Sequence, residues 1–510
     1  MKGEVELLGE QPLGEKLIKK WFWLYFFTLL IAPTGYFIRV LISNSVSVAD
    51  VGIIYSILWL MGILSAYHDL WLTEALQYHL PKYRISKKYN AFKTSIFFTF
   101  IIQMITGVLI ALLLFFWANF LATNYFHSPE SANIIKIFCL YFLGVNFFNM
   151  LYSIYIAFQD VIQYKLVEGI RGYTTLIFTF SFFLLGILNI TNFTRAWLIG
   201  VGISIIVSWI IFIKKYGYTL SKWTIERDTT LIKKQIKYAF RVFIGINVIN
   251  LLWQVDQQFV IYFLWAQSAG YYANYLSLIF AFGVVTGPLL WYLFPLTTEL
   301  IEKKEYDKLK QLKNMLYKYL SVFALSISWL FFILWPEIAT ILFGQKFLYS
   351  GQLLVYSSIF LIFNILFGVN FSLLAGMGKV KQRAKIIGAA LLVNIILNFI
   401  FIQIWWIIGV IAATIISWII LFVLSYRLVN KQKDIDFDWC FFIKNLIGII
   451  IISGILYYFK EKIFVLEDIH RYKNLWYFVL IGIGYYVCIM GINYPSLKLL
   501  RKEVKALKEK

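Results

Sequence analysis

Residues 94–118, TSIFFTFIIQMITGVLIALLLFFWA, hold no charged side chain. A bilayer core takes a helix of about 20 predominantly apolar residues, and this stretch is long enough to cross it. Its flanks are unequal. Lys82, Arg84, Lys87, Lys88 and Lys93 precede it, and no Lys or Arg follows until Lys136. Basic residues collect on the cytoplasmic side of spanning helices, so the stretch enters from that side.

The same reading extends in both directions. Fourteen apolar blocks emerge, at about 20–43, 49–72, 94–118, 133–157, 168–189, 196–213, 241–264, 269–293, 316–335, 351–374, 386–403, 406–426, 442–459 and 474–493. With the N-terminus in the cytoplasm, the inner segments carry 39 of the 47 Lys and Arg, and the outer loops carry 6. One missed or invented span would invert everything after it, so an even number is expected, with both termini cytoplasmic. Composition agrees. The chain is 61% hydrophobic and 14% charged, against about 45–50% and 25% for a soluble domain.

The expected fold class is an all-α polytopic membrane protein of about 14 transmembrane helices, placed in the plasma membrane. Two six-helix lobes form a parallel pseudo-repeat, and two C-terminal helices are added. The boundaries are a cytoplasmic N-terminus 1–19, an N-lobe 20–213, an amphipathic cytoplasmic linker 214–240, a C-lobe 241–426, spans 13–14 within 442–493, and a basic tail 494–510. The repeat rests on Val51-Gly52-Ile53-Ile54 against Ala269-Gly270-Tyr271-Tyr272, 218 residues later. Leu80-Pro81 against Phe294-Pro295 and Lys87-Lys88-Tyr89 against Lys303-Lys304-Glu305-Tyr306 keep nearly that offset. Halves of six spans share one orientation, as in parallel-repeat transporters. The basic linker is expected to lie along the anionic inner leaflet.

Other classes are disfavoured. The net charge of +21 is spread over short loops, which is a topology signal rather than a nucleic-acid face. Cys139, Cys440 and Cys488 are far apart, and His68, His79, His127 and His470 lack ligand spacing, so neither a disulfide framework nor a metal site is expected. The first block is too long for a signal-peptide core and reads as an uncleaved span. No GxSxG, HExxH or P-loop motif occurs, and no enzyme or cofactor is expected.

Charges inside spans cost at least about 2.5–3.5 kcal/mol on insertion scales, so they mark candidates. Arg39, near the outer end of span 1, either lines a cavity that attracts an anionic head group or snorkels to the interface. Lys136 is expected to snorkel. Asp69 and Glu74, beside His68, His79 and Lys82, suit an interfacial network. Glu168 and Arg171 stand three apart on one helix face and suit a structural ion pair. On span 7, Asn247, Asn250, Gln254, Gln257 and Gln258 share one face. That stripe is read as the wall of a wet cavity that hydrogen-bonds sugar hydroxyls; the other reading is helix–helix glue. Asp256 points well away from the stripe and is expected to pair with a cation on a neighbouring span. Pro33 and Gly287-Pro288 permit kinks.

From Arg39 to about residue 425 the chain resembles the oligosaccharidyl-lipid (O-antigen type) flippases, polysaccharide biosynthesis proteins of the multidrug/oligosaccharidyl-lipid/polysaccharide exporter superfamily. The pieces are Arg39 with Ala49-Asp50-Val51-Gly52-Ile53-Ile54-Tyr55, Asp69-Leu70 with Glu74-Ala75-Leu76, and Asp256 through Ala269-Gly270-Tyr271-Tyr272. They continue with Leu342-Phe343-Gly344-Gln345-Lys346-Phe347, Leu374-Ala375-Gly376-Met377-Gly378-Lys379, Asn394, Asn398 and Gly409-Val410-Ile411-Ala412-Ala413-Thr414. The resemblance implies two lobes opening alternately to each side, with membrane lipid around them. It also implies a polyprenyl-diphosphate-linked glycan as substrate, and leaves room for polysaccharide-assembly proteins as partners; no nucleic acid is involved. Cation-coupled drug exporters of the superfamily typically carry an acid in span 1, where this chain carries Arg39. Lipid II flippases remain an alternative, as do the drug exporters.

Overall fold

The structure, a computed structural model, describes residues 13–493 apart from 69, 71, 159, 218–220, 223, 227, 244–247, 359, 431–436 and 465–470. Helices α1 (Leu13–Ser45), α2 (Val48–His68), α3 (Leu72–Ile85), α4 (Tyr89–Phe116), α5 (Ala118–Asn124), α6 (Ser131–Ala157), α7 (Val161–Leu184) and α8 (Ile190–Phe212) come first. After a π turn at Ile213–Gly217 follow α9 (Thr229–Phe243), α10 (Val248–Glu302), α11 (Tyr306–Ile333), α12 (Trp335–Phe343), α13 (Leu348–Ser358), α14 (Leu361–Gly376), α15 (Val380–Asn430), α16 (Trp439–Ile463) and α17 (Arg471–Ile492). No strand occurs among the described residues. The chain is a polytopic all-α membrane protein.

Residues 94–116 lie on α4 and show why. Its buried face runs through Ser95, Thr99, Gln103, Gly107 and Ala111, four residues apart. Large apolar side chains point the other way: Leu109, Leu113 and Phe116 are exposed. Small and polar side chains face protein while hydrocarbon faces outward, the packing rule of a bilayer. Helix α8 repeats it, burying Gly200, Ser204 and Ser208 and exposing Ile206 and Ile210.

Nine helices among the described residues are long and apolar enough to cross a membrane, or ten with the bent pair α13–α14. Two of the longest helices are each two spans. At 1.5 Å per residue, the 55 residues of α10 and the 51 of α15 would exceed twice a core of about 30 Å. Each breaks at one tryptophan, Trp265 (φ 69°, ψ 179°) in α10 and Trp406 (φ 55°, ψ −131°) in α15. Divided there, and with α7 counted, the helices match the fourteen blocks in order.

A bulky residue with positive φ costs roughly 1–3 kcal/mol. Trp406 is 69% exposed, so little packing offsets that cost. Replacing Trp406 with Gly is expected to leave the thermal midpoint unchanged or raise it. Gly409→Ala should lower it, because a Cβ there would sit 2.2 Å from the Phe401 carbonyl oxygen. A large drop for Trp406→Gly would show that the indole is an anchor.

The described contacts form two compact units. The first comprises the described residues of 1–45, 64–120 and 130–243, and the second those of 46–63, 121–129 and 244–510. The division differs from the expected lobes in two pieces, 46–63 and 121–129, which pack with the second unit. Sequence shows how the first piece is held. Ser47 and Asp50 cap α2 reciprocally, Ser47 N to Asp50 Oδ2 at 3.2 Å and Asp50 N to Ser47 Oγ at 3.1 Å, a capping box. One turn on, a Cβ at Gly52 would lie 1.9 Å from the Ala266 carbonyl oxygen, and a Cβ at Gly270 would lie 2.0 Å from that of Val48. Val48 and Ala266 are 218 residues apart, and so are Gly52 and Gly270. Each glycine faces the carbonyl of the residue four positions before the other glycine, the reciprocity of a two-fold contact. The faint repeat in the sequence is thus a packing symmetry.

Candidate functional site

A carboxylate in an apolar helix must be paired, hydrogen-bonded or neutralised. Asp256, on the first half of α10, is 1% exposed. Three other helical segments of the second unit supply its partners. Asn398 Nδ2, on the first half of α15, donates to Oδ1 at 2.7 Å. Tyr272 OH, on the second half of α10, donates to Oδ2 at 3.1 Å. Thr414 Oγ1, past the Trp406 break, also donates to Oδ2. Asn394, one turn before Asn398, accepts from Asn398 Nδ2 at 3.0 Å. Its own Nδ2 reaches Thr414 Oγ1 at 3.5 Å.

The expectation of a cationic partner for Asp256 is therefore corrected. Its partners among the described residues are neutral hydroxyls and an amide, which share the load three ways. None of these partners carries a charge. Asn398 Oδ1, also buried, has no hydrogen-bond partner. Carboxylate, amide and hydroxyl oxygens suit a proton or an alkali cation, since hard cations prefer oxygen ligands. Among the described residues no three or more His, Cys, Asp or Glu are grouped so as to hold a metal ion.

Two amides of the span 7 stripe follow the helix–helix reading. Gln257 Nε2 donates to Ser56 Oγ at 2.9 Å and to the Ala269 carbonyl at 3.1 Å. Gln258 Nε2 donates to the Ser56 carbonyl at 3.0 Å, and its Oε1 accepts from Tyr125 OH at 2.9 Å. Both are buried; they tie α10 to α2 rather than line a wet wall. Gln254 packs against Gly62, its Nε2 3.1 Å from where a Cβ would stand. Asn247 and the side chain of Asn250 lie outside the described residues. Interhelical amide bonds contribute about 0.6 kcal/mol each on average. Gln257→Ala is thus expected to destabilise the chain by about 1 kcal/mol, with the substrate concentration for half-maximal transport unchanged; a shift in that concentration would restore the cavity reading.

In the first unit, Glu168 pairs with Lys165 at 2.7 Å and accepts from Tyr152 OH at 3.5 Å. Arg171 instead lies over the Phe148 ring, 4.6 Å from its centroid. The expected Glu168–Arg171 pair is replaced because Lys165 is equally spaced along the helix and Phe148 offers the guanidinium a π face. Arg39 is half-buried on α1, one turn after Tyr36. Asp69 lies outside the described residues. Glu74 is half-buried at the start of α3, and nearby His68 Nδ1 meets the Ser65 carbonyl at 2.8 Å. Ser65 Oγ in turn donates to Asn146 Oδ1 at 2.6 Å.

Sequence reading did not assemble the Asp256 cluster. Asn394 and Asn398, four apart in an apolar block, were the available signal: amides at that spacing share one helix face and must face protein.

Residues 17–301 match the model of the family described as "Polysaccharide biosynthesis protein". A Methanocaldococcus jannaschii relative, described as an uncharacterized membrane protein, is 26% identical over 90% of this chain and 97% of its own length. Among solved structures, "Lipid II flippase MurJ, inward closed conformation" matches with a TM-score of 0.69 at 18% identity, covering 93% of this chain and 99% of its own. An inward-facing multidrug resistance MATE family transporter of the MOP superfamily matches with a TM-score of 0.68 at 13% identity, covering 80% and 99%. At those identities the likeness is one of fold.

Proposed function

We infer that this chain, which belongs to the polysaccharide biosynthesis protein family, flips a polyprenyl-diphosphate-linked oligosaccharide from the inner to the outer leaflet for cell-surface polysaccharide or glycoconjugate assembly. That it is a multi-pass transporter of the multidrug/oligosaccharidyl-lipid/polysaccharide exporter superfamily follows from the family match and the fold. The observation that carries the substrate class is the family match over residues 17–301.

The residues suit the following sequence of events. Arg39 attracts the diphosphate, since a guanidinium presents a fork matched to phosphate oxygens. The polyprenyl tail stays in lipid. The two lobes rock so that the head group crosses. Asp256 gains and loses a proton or an alkali cation, and its neutral partners on three helical segments sense the change. In this reading the protein sits in the plasma membrane with both termini cytoplasmic.

The test is flipping in sealed proteoliposomes, with a fluorescent polyprenyl-diphosphate sugar and an impermeant quencher. Translocation above protein-free vesicles is expected, and Arg39→Ala should reduce the rate about tenfold or more, a charged hydrogen bond contributing roughly 1.5–3 kcal/mol. An unchanged rate in Arg39→Ala would remove that residue's role. Dye efflux without polyprenyl-lipid flipping would move the chain to the drug-exporter alternative. A lipid II flippase is the other reading; the fold match of 93% against 80% of this chain favours it over the exporter, and selective flipping of lipid II would establish it.

A further inference from the structure

Helix α9 belongs to the segment linking spans 6 and 7. Its Leu231, Gln235 and Ala239, four apart, are buried, with Gln235 Nε2 donating to Thr99 Oγ1 at 2.8 Å. The opposite face exposes Lys233, Lys234, Ile236 and Lys237. Helix α3 meets its edge. The Tyr78 and Tyr238 rings stack with centroids 4.1 Å apart and planes 11° apart, and Lys82 Nζ stands 3.6 Å from the centroid of Tyr78. His79 lies edge-on to Tyr238 at 5.4 Å. Its buried Nε2 has no hydrogen-bond partner. Burial, then Lys82 and Lys234, lower the pKa of this imidazole, so both ammonium groups act on one ring.

Three acids stand near this cluster, and Lys234 acts on one of them, Asp228. Asp228 caps α9, accepting from Thr230 N at 2.8 Å, Thr230 Oγ1 at 2.6 Å and Leu231 N at 3.1 Å. Glu226 accepts from Asn90 at 2.7 Å. Glu74 sits at the far end of α3 and acts on Tyr238. Two ammonium groups beside an unpartnered imidazole nitrogen form a site complementary to an anion. Exposed Ile236 and Tyr78 place apolar surface beside those charges. That pairing suits the lipid–water boundary rather than bulk water.

We propose that Lys82 and Lys234, flanking the stacked Tyr78–Tyr238 pair, form a head-group site for an acidic glycerophospholipid that clamps α9 to α3. The phosphate lies between the ammonium groups, the acyl chains run past Ile236, and the linker is fixed to the first unit. The site is independent of the cargo and of Asp256.

The test titrates short-chain phosphatidylglycerol into the detergent-purified full chain and follows the thermal midpoint. The midpoint of the natural chain should rise, with no rise from short-chain phosphatidylcholine. A basic side chain at a head-group layer contributes about a factor of five in binding. Lys82→Gln/Lys234→Gln should therefore need roughly thirtyfold more lipid, while Lys82→Arg/Lys234→Arg keeps the response. Lys381→Gln/Lys385→Gln, which removes two lysines elsewhere on the chain, should respond like the natural chain. Equal weakening in both glutamine variants would reduce the effect to diffuse charge and overturn the site. So would a natural chain stabilised only by a polyprenyl diphosphate, which would make the cluster part of the cargo route.

Discussion

Asp256→Asn is expected to leave the chain folded and to abolish its response to the coupling ion. The side chain is isosteric, and Thr414 and Tyr272 can turn their hydroxyls to accept where they now donate. The negative charge is what disappears. A cation held by one carboxylate and several neutral oxygens loses its only charged ligand. Removing one partner of a buried ionic interaction costs about 3–5 kcal/mol, so cation affinity should fall at least about a hundredfold. The measurement compares thermal midpoints in sodium and in choline salts, each over a pH series. If the ion is sodium, the natural chain gains stability in sodium; if it is a proton, the midpoint depends on pH and not on the salt. Either response should vanish in Asp256→Asn while the unliganded midpoint stays close to the natural one. Gradient-driven flipping should vanish with it. A natural chain indifferent to both ions would leave Asp256 as a structural tie among its four helical segments, and a full response in Asp256→Asn would place the coupling elsewhere.

This cluster shows where sequence stops. Asp256 is conspicuous because a carboxylate inside an apolar block is costly. Its partners, however, lie 16, 142 and 158 residues away along the chain, and only the fold brings them together. The span 7 amides failed differently. Their shared face was legible, but an amide donates and accepts equally well toward Ser56 and toward a sugar, so spacing could not choose. Topology was far more legible, because apolar blocks and loop charge act on each segment alone. The links at 264–269 and 403–406 follow from block length, and the structure turns the chain there at Trp265 and Trp406. The Glu168 pairing fell between these cases: helical spacing limited the partner to a neighbour, and two cations qualified.

Gly52→Ala and Gly270→Ala should each destabilise the chain, and the double variant should cost less than the two together. A methyl at Gly52 would meet the Ala266 carbonyl oxygen at 1.9 Å and the Gly270 nitrogen at 2.6 Å; one at Gly270 would meet the Val48 carbonyl oxygen at 2.0 Å. These are backbone atoms, so no side chain can swing aside, and α2 and α10 must part by about an ångström or more to restore ordinary carbon–oxygen separations. Close approach through small residues is what holds helices together in lipid, where there is no hydrophobic force between them. Overpacking costs about 1–3 kcal/mol. Parting the helices also draws Ser56 away from Gln257 and Gln258, so each variant should reach at least about 2 kcal/mol. Because the approach is reciprocal, one separation accommodates both methyls, which is why the costs should not add. Gly283→Ala is the control. Nothing lies within 4 Å of a Cβ there, and a helical Ala should stabilise by roughly 0.5–1 kcal/mol over Gly. Denaturation midpoints of the four variants in one detergent decide the matter. Additive losses would mean two separate packing defects, whereas a loss shared between Gly52 and Gly270 would mean that the 218-residue repeat meets at a single two-fold contact.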